Sequence, residues 1–179
     1  MNQDDIMNKS IVFIDNNNAT FLSNNNYVFN YDLLENIKDI ACIKIMKSEI
    51  ILNTNVPLFA NDINSTPQNG DPIFIKMNDY KRVSTIINGN NTKFFDVIIL
   101  NTTDKNTVTS PVQVYKNESC SSFNINDPTV HIFNPTESNI KTLSFELYDK
   151  NNKILERSTI IRFSMILCIY HYKRKVSQY

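Results

Sequence analysis

The chain has 179 residues, of which 41% are hydrophobic and 20% charged, with 18 Lys and Arg balanced by 18 Asp and Glu. This length predicts one domain spanning residues 1–179, large enough to bury a core without disulfides or metals. A formal net charge of zero argues against a nucleic-acid-binding protein, which would need a basic surface. The same neutrality permits dense packing beside further copies of the chain.

Short apolar runs alternate with polar clusters along the whole chain, which is the pattern of strands and turns. One helical turn is predicted at residues 33–36, and no amphipathic helix of three turns is found. The predicted strands, in chain order, cover residues 11–14, 27–31, 37–52, 73–77, 94–101, 112–115, 129–133, 140–149 and 160–172.

The last two runs show a period of two, and residues 140–149 are the clearest strand of the chain. The first alternates Leu143, Phe145 and Leu147 with polar residues, so one face is predicted to be buried. In the second, Phe163, Met165, Leu167 and Ile169 share a face with Ile161. We expect these two runs to form an extended hairpin closed by a turn at Asn151-Asn152. Many short strands with polar turns favour a sandwich or a barrel.

Asparagine fills about one position in six, whereas only two glycines occur. Because Asn tolerates positive φ better than most residues, we expect it to occupy turns that glycine usually takes. The cysteines Cys42, Cys120 and Cys168 are odd in number and far apart, which argues against a disulfide framework. Cys42 and Cys168 lie in apolar runs and are interpreted as core residues.

The residues that could carry chemistry are few. His131 and His171 lie in predicted strands, no metal-binding spacing surrounds them, and we interpret them as structural. Asp71, Asp79 and Asp96 would need to face one another to form a hydrolytic pair. Asp15, Asp62 and Asp127 lie in Asn-rich loops that could bind calcium, although the spacing of a dedicated calcium loop is missing. We therefore predict no enzyme, and we assign no catalytic, cofactor-binding or metal-binding residue.

The two ends of the chain add little. The first ten residues are polar and acidic and do not resemble a signal peptide. The apolar run 160–172 is too short to span a bilayer as a helix, and it contains Arg162. The tail Lys173-Arg174-Lys175 is the compact basic cluster of the chain, and contact with nucleic acid or an inner membrane is only weakly suggested.

Three blocks of sequence, in order, resemble the minor capsid and penton proteins of nucleocytoplasmic large DNA viruses, the giant viruses. The blocks cover well over half of the chain. In several places this chain departs from the family pattern: Leu52-Asn53-Thr54 replaces an expected proline, Asn152 replaces a turn glycine, and Arg162-Phe163-Ser164 replaces a segment with histidine. The blocks are Ile11 to Asp15 with residues 27–30, 36–40 and 43–50, then residues 72–80 with 94–100, and finally Phe133-Asn134-Pro135 with residues 140–149, 151–152 and 162–167.

The resemblance implies a single jelly-roll β-sandwich of two four-stranded antiparallel sheets. It further implies a structural component of an icosahedral capsid, located in the virion and synthesised in the host cytoplasm. Such a protein would be either a pentameric vertex (penton) protein or a minor protein cementing major capsomers. Its partners would be copies of itself, the major capsid protein and other minor capsid proteins. The alternative is a β-sandwich binding module that recognises a host glycan or receptor.

Overall fold

The fold is all-β, as the sequence predicts. A computed structural model describes residues 7–52, 71–99, 113–117 and 130–173. Apart from strands, these ranges contain two short 3-10 turns at Asn16–Asn18 and Arg157–Thr159. Neither turn has the length or the apolar character to span a membrane. The strands are β1 Met7–Asp15, β2 Thr20–Phe21, β3 Val28–Leu52, β4 Pro72–Met77, β5 Val83–Ile87, β6 Asn90–Phe94, β7 Asp96–Ile99, β8 Gln113–Asn117, β9 Val130–Tyr148 and β10 Ile160–Tyr172.

Strand β3 organises the sheet because it pairs along both of its edges. Residues 28–44 of β3 pair with residues 130–146 of β9, whose second half continues through β4 to β7. The second half of β3 pairs on the other edge with β10, which in turn pairs with β1. Strand β8 pairs with the end of β3, and β2 with its beginning. All of these pairings are antiparallel, and β5 pairs with β6 in a separate hairpin.

Two bulges interrupt the pairing of the long strands β3 and β9. Four residues of β3, numbers 33–36, lie opposite Lys141 alone, and four residues of β9, numbers 133–136, lie opposite Ala41 alone. The helical turn predicted at 33–36 is therefore wrong, because these residues bulge out of a strand. Bulges bend a strand and increase its twist. They explain how strands of 25 and 19 residues fit a compact domain.

The predicted hairpin between the last two runs is also wrong. Strand β9 pairs with β3 and β4, whereas β10 pairs with β1 and β3. The periodicity of the two runs predicted their buried faces but contained no information on their partners. The turn at Asn151-Asn152 is confirmed, with Asn152 at φ 62°. The Asp149 carboxylate fixes this turn by accepting hydrogen bonds from the backbone N–H groups of Asn151 and Lys153, both at 2.8 Å.

The main core lies between the inner faces of β3, β4, β9 and β10. Phe29 and Phe145, which are paired across β3 and β9, stack with ring centroids 5.0 Å apart, and Phe163 packs beside both. The predicted inner faces are confirmed with one exception, since Ile161 is exposed. The confirmed buried residues are Leu143, Phe145, Leu147, Phe163, Met165, Leu167 and Ile169.

Two smaller clusters pack on the outer faces. Cys42 and Cys168 are buried beside Val130 and Tyr170, which confirms that these cysteines are core residues. Cys120 lies outside the described residues. A third cluster joins the β5–β6 hairpin to β4 and β9 through Phe74, Ile87, Phe94 and Tyr148. This hairpin was not predicted from the sequence, and it covers an outer face that would otherwise be exposed to water.

Asparagine takes three of the four non-glycine positions with positive φ among the described residues, namely Asn78, Asn88 and Asn152. The prediction that Asn serves in turns is confirmed at these positions. Asn88 and Gly89, at φ 50° and 78°, form the two-residue turn between β5 and β6. Positive φ at both turn residues matches the right-handed twist of the flanking strands.

Candidate functional site

The structure places the two histidines on strands that flank opposite edges of β3. His131 of β9 lies opposite Ile43, and His171 of β10 lies opposite Ile40. The ring of His171 is 3.1 Å from the Ser10 hydroxyl, measured from Nε2 to Oγ. His131 has a different, aromatic environment. The interpretation of both histidines as structural residues stays a prediction.

His131 is half-buried in a nest of aromatic rings. Tyr80 stacks on it with centroids 5.3 Å apart, while Phe133 and Phe95 meet it edge-on at 4.8 and 6.2 Å. Burial lowers the pKa of His131 from its ordinary 6.5, and the nearby positive charge of Arg82 lowers that pKa further. A hydrogen bond to the backbone of residue 81 raises the pKa and so opposes these two effects. Burial and Arg82 therefore disfavour protonation of the ring.

An ion pair between Arg82 and Asp96 lies next to this nest. Asp96 is fully buried, and the Arg82 side chain is only 10% exposed. The Ser48 hydroxyl donates to the second oxygen of Asp96 at 3.4 Å, and Arg82 Nε donates to the Phe95 carbonyl at 3.0 Å. These bonds connect the segment before β5 with the junction of β6 and β7. A buried carboxylate with such partners fixes loop geometry.

Residues 78–82, here called the Tyr80 loop, are anchored on both sides. Asn78 adopts a left-handed conformation and exchanges two hydrogen bonds with Ser144. Its backbone N–H donates to the Ser144 carbonyl at 2.9 Å, and its side-chain oxygen accepts from the Ser144 N–H at 2.7 Å. Burial raises the pKa of Tyr80, and the Asn78 side chain opposes that rise. Arg82 anchors the other end of the loop.

A pocket of about 440 Å³ opens between the Tyr80 loop and strand β6, and we call it the lysine pocket. Lys76, one of its lining residues, donates to the Tyr148 hydroxyl at 2.9 Å and lies 3.9 Å from Glu146. Burial and the neighbouring Glu146 raise the pKa of Tyr148, so its hydroxyl stays neutral. The residues that line the lysine pocket are Lys76, Asn78, Asp79, Tyr80, Lys81, Asn91, Thr92 and Lys93.

A second concavity of about 530 Å³ lies on the other side of the Tyr80 loop, against β9. Glu137 and Lys141 provide its charges, together with Asp79 of the loop. Opposite charges are mixed here, whereas lysine prevails in the lysine pocket. A third concavity, of about 490 Å³, surrounds the Ser10–His171 pair and includes Glu35 and Asp39.

The carboxylates named from the sequence are not brought together. Asp96 pairs with Arg82, Asp71 lies 3.3 Å from Lys150, and Asp79 is exposed at the lysine pocket. Asp15 accepts a hydrogen bond from Arg162 Nε at 2.9 Å and one from the Asn17 backbone at 3.0 Å. Asp62 and Asp127 lie outside the described residues. Within the described ranges, no three acidic, histidine or cysteine side chains are grouped as metal ligands would be.

The basic tail is only partly described. Lys173 is exposed at the end of β10, and Arg174 and Lys175 lie outside the described residues. Sequence reasoning did not single out Lys76, Lys81, Arg82 or Lys93 as a group. The Asn88-Gly89 pair was the available signal, since an Asn-Gly turn between two β-prone runs predicts the hairpin that brings β6 beside the loop.

The chain was also compared with known proteins. No protein-family model matches it, and no curated protein matches it.

Proposed function

We propose that this chain is a structural component of an icosahedral viral capsid, built as a single jelly roll of two four-stranded sheets. The observation that carries the proposal is the strand order. Strands β1, β10, the second half of β3 and β8 are neighbours in one group. The first half of β3, the second half of β9, β4 and β7 are neighbours in the other.

This order supports a jelly roll because that architecture places the first and last strands side by side in one of two four-stranded sheets. Jelly rolls recur in viral capsid domains, where closely packed sheets give a rigid building block. The bulges at 33–36 and 133–136 lie where β3 and β9 pass from one group to the other. Bulges are the usual means by which a strand turns such a corner.

The mechanism of such a protein is geometric. A rigid sandwich acts as a wedge, and closed rotational symmetry between identical wedges sets the number of copies. A net charge of zero keeps repulsion between copies low. We propose a pentameric vertex protein, with copies of itself and the major capsid protein as partners. A minor protein that cements major capsomers is the second version of the same proposal.

The proposed location is the virion, after synthesis in the host cytoplasm. Contact of Lys173, Arg174 and Lys175 with nucleic acid or an inner membrane stays a prediction. So does the alternative of a binding module for a host glycan or receptor. The lysine pocket is the observation that favours this alternative, because contacts between capsid subunits do not require an open pocket.

Negative-stain electron microscopy of the purified full-length chain tests the capsid proposal. Ring-shaped particles with five-fold symmetry are expected for a vertex protein. Single small particles that also fail to decorate shells of a co-expressed major capsid protein would contradict both versions. Particles that decorate such shells without forming rings would support the cementing version and contradict the vertex version.

A further inference from the structure

We propose that the lysine pocket binds an anionic sugar, meaning a sugar ring that carries a carboxylate or a sulfate group. This inference goes beyond the capsid proposal and does not depend on it, since a capsid protein and a free-standing binding module could both contain the site. It rests on the charge, the hydrogen-bonding groups and the rigidity of the pocket.

Charge is the first argument. The lining contains three lysines and one carboxylate, that of Asp79. Lys81 and Lys93 are exposed, and neither forms an ion pair with any residue in the described ranges. Lys76 donates to Tyr148, and its charge is partly balanced by Glu146. Two ammonium groups that have no carboxylate partner among the described residues favour an anionic group beside this concavity.

Hydrogen-bonding groups are the second argument. Asn91 and Thr92 of β6 line the side of the pocket opposite the Tyr80 loop, and both are accessible. Amide and hydroxyl side chains both donate and accept, as sugar hydroxyls do. Tyr80, which is half-buried, also lines this pocket. A pocket with both charged and neutral polar groups matches an anionic sugar better than a bare inorganic ion.

Rigidity is the third argument. One wall of the pocket is fixed through the two hydrogen bonds between Asn78 and Ser144 and through Arg82. The other wall is strand β6, whose Phe94 stacks on Phe74 with centroids 4.6 Å apart. Because both walls are anchored to the core, a ligand would lose little affinity to the ordering of protein groups.

Nucleic acid fits the pocket less well. Binding along a phosphate backbone requires a basic stripe that neutralises several phosphates. Here Asp79 and Glu146 lie among the lysines, and the second concavity beyond Tyr80 contains Glu137. These carboxylates would repel an extended polyanion more strongly than a single anionic group beside Lys81 and Lys93.

Isothermal titration of the full-length chain tests the proposal with three saccharides of similar size. Sialyllactose presents a carboxylate, a sulfated heparin disaccharide presents sulfates, and lactose is the neutral control. We expect one or both anionic saccharides to bind and lactose to show no binding. The comparison between the two anionic probes identifies the anionic group. Equal binding of lactose, or no heat with either anionic probe at millimolar concentration, would overturn the proposal.

Substitutions then locate the site. The double variant Lys81→Gln/Lys93→Gln is expected to lower the affinity at least tenfold, with an unchanged melting temperature because both side chains are exposed. Lys141→Gln is the matched control, since Lys141 is exposed on β9 and lines the other concavity. An equal loss in the control, or tighter binding of a short oligonucleotide than of either saccharide, would also overturn the proposal. A pentamer that binds no saccharide would contradict this inference alone.

Discussion

Arg82 and Asp96 form an ion pair in which the carboxylate is fully buried, and Ser48 donates to its second oxygen. Because a buried charge without a partner is strongly unfavourable, Arg82→Leu is expected to lower the free energy of unfolding by about 3–5 kcal/mol. The chain has no tryptophan, so urea denaturation followed by circular dichroism is the suitable measurement.

Two variants make the Arg82 prediction specific. Lys150→Met breaks the more exposed pair with Asp71 and is expected to cost less than about 1 kcal/mol. Arg82→Leu/Asp96→Leu removes both charges and is expected to recover much of the lost stability. If Arg82→Leu and Lys150→Met cost the same, the buried pair has no special role in anchoring the Tyr80 loop.

His131 makes the stability of the fold depend on pH. Its pKa is lowered from 6.5 by burial first and by Arg82 second, so the unfolded chain binds the proton more tightly than the folded protein. Stability therefore rises with pH in this window. The contribution is fully present above the unfolded pKa of 6.5 and is lost as the pH falls below it.

The measurement for His131 is the free energy of unfolding between pH 7.5 and pH 5, at constant ionic strength. His131→Phe keeps an aromatic ring against Tyr80 and is expected to reduce the loss of stability on acidification. His171→Asn, which changes the other histidine, serves as the comparison. A wild-type and a His131→Phe profile of identical slope would show that His131 does not cause the dependence.

Removal of the buried Tyr27 hydroxyl is expected not to destabilise the fold, in contrast to the loss of Arg82. Its oxygen is buried without a hydrogen-bond partner among the described residues, and burial raises its pKa. Removing an unsatisfied polar atom relieves a desolvation cost, so Tyr27→Phe is expected to leave stability unchanged or raise it by up to about 1 kcal/mol.

Tyr31→Phe is the matched comparison. The Tyr31 hydroxyl donates to the Phe13 carbonyl at 2.9 Å, and this bond links β3 to the edge strand β1. Its loss is expected to cost about 0.5–1 kcal/mol in the same urea titration. A loss of stability in Tyr27→Phe larger than in Tyr31→Phe would contradict the assignment of partners to these two hydroxyls.

The Asn88-Gly89 turn is expected to be sensitive at its second position. Gly89 adopts φ 78°, and a Cβ there would meet no atom within 4 Å, so the penalty for Gly89→Ala is conformational and not steric. We expect a cost of about 1–2 kcal/mol. Asn88→Gly, which keeps positive φ accessible, is expected to change stability little. Equal effects of the two variants would argue against this turn geometry.

Local pattern predicted most of the strands and much of the core. Alternation of apolar and polar residues fixed the buried faces around Phe145 and Met165, because side chains alternate across a strand. The continuity of β3 and β9 was not predicted, since the polar residues within the bulges at 33–36 and 133–136 look like strand ends in one dimension. The wrong hairpin between β9 and β10 has a different origin, because alternation identifies the buried face of a strand but not its partner.

The candidate site could not be predicted from sequence patterns, because it combines residues that are distant in the sequence. Arg82 and Asp96 are 14 residues apart, but His131 and Ser144 come from a distant strand. The pairing of β4 with β9 places Ser144 beside Asn78, and the stacking of Tyr80 on His131 brings the other end of β9 to the Tyr80 loop. The Asn88-Gly89 turn could have been predicted from the sequence. That prediction would have placed Lys93 near the Tyr80 loop, but it would not have predicted the lysine pocket.

The oligomeric mass of the purified chain, measured by native mass spectrometry across a concentration series, tests the capsid proposal most directly. A vertex protein predicts a dominant species of five copies, because closed five-fold symmetry satisfies every interface at once. A chain that stays monomeric at every concentration would contradict the self-assembling vertex protein.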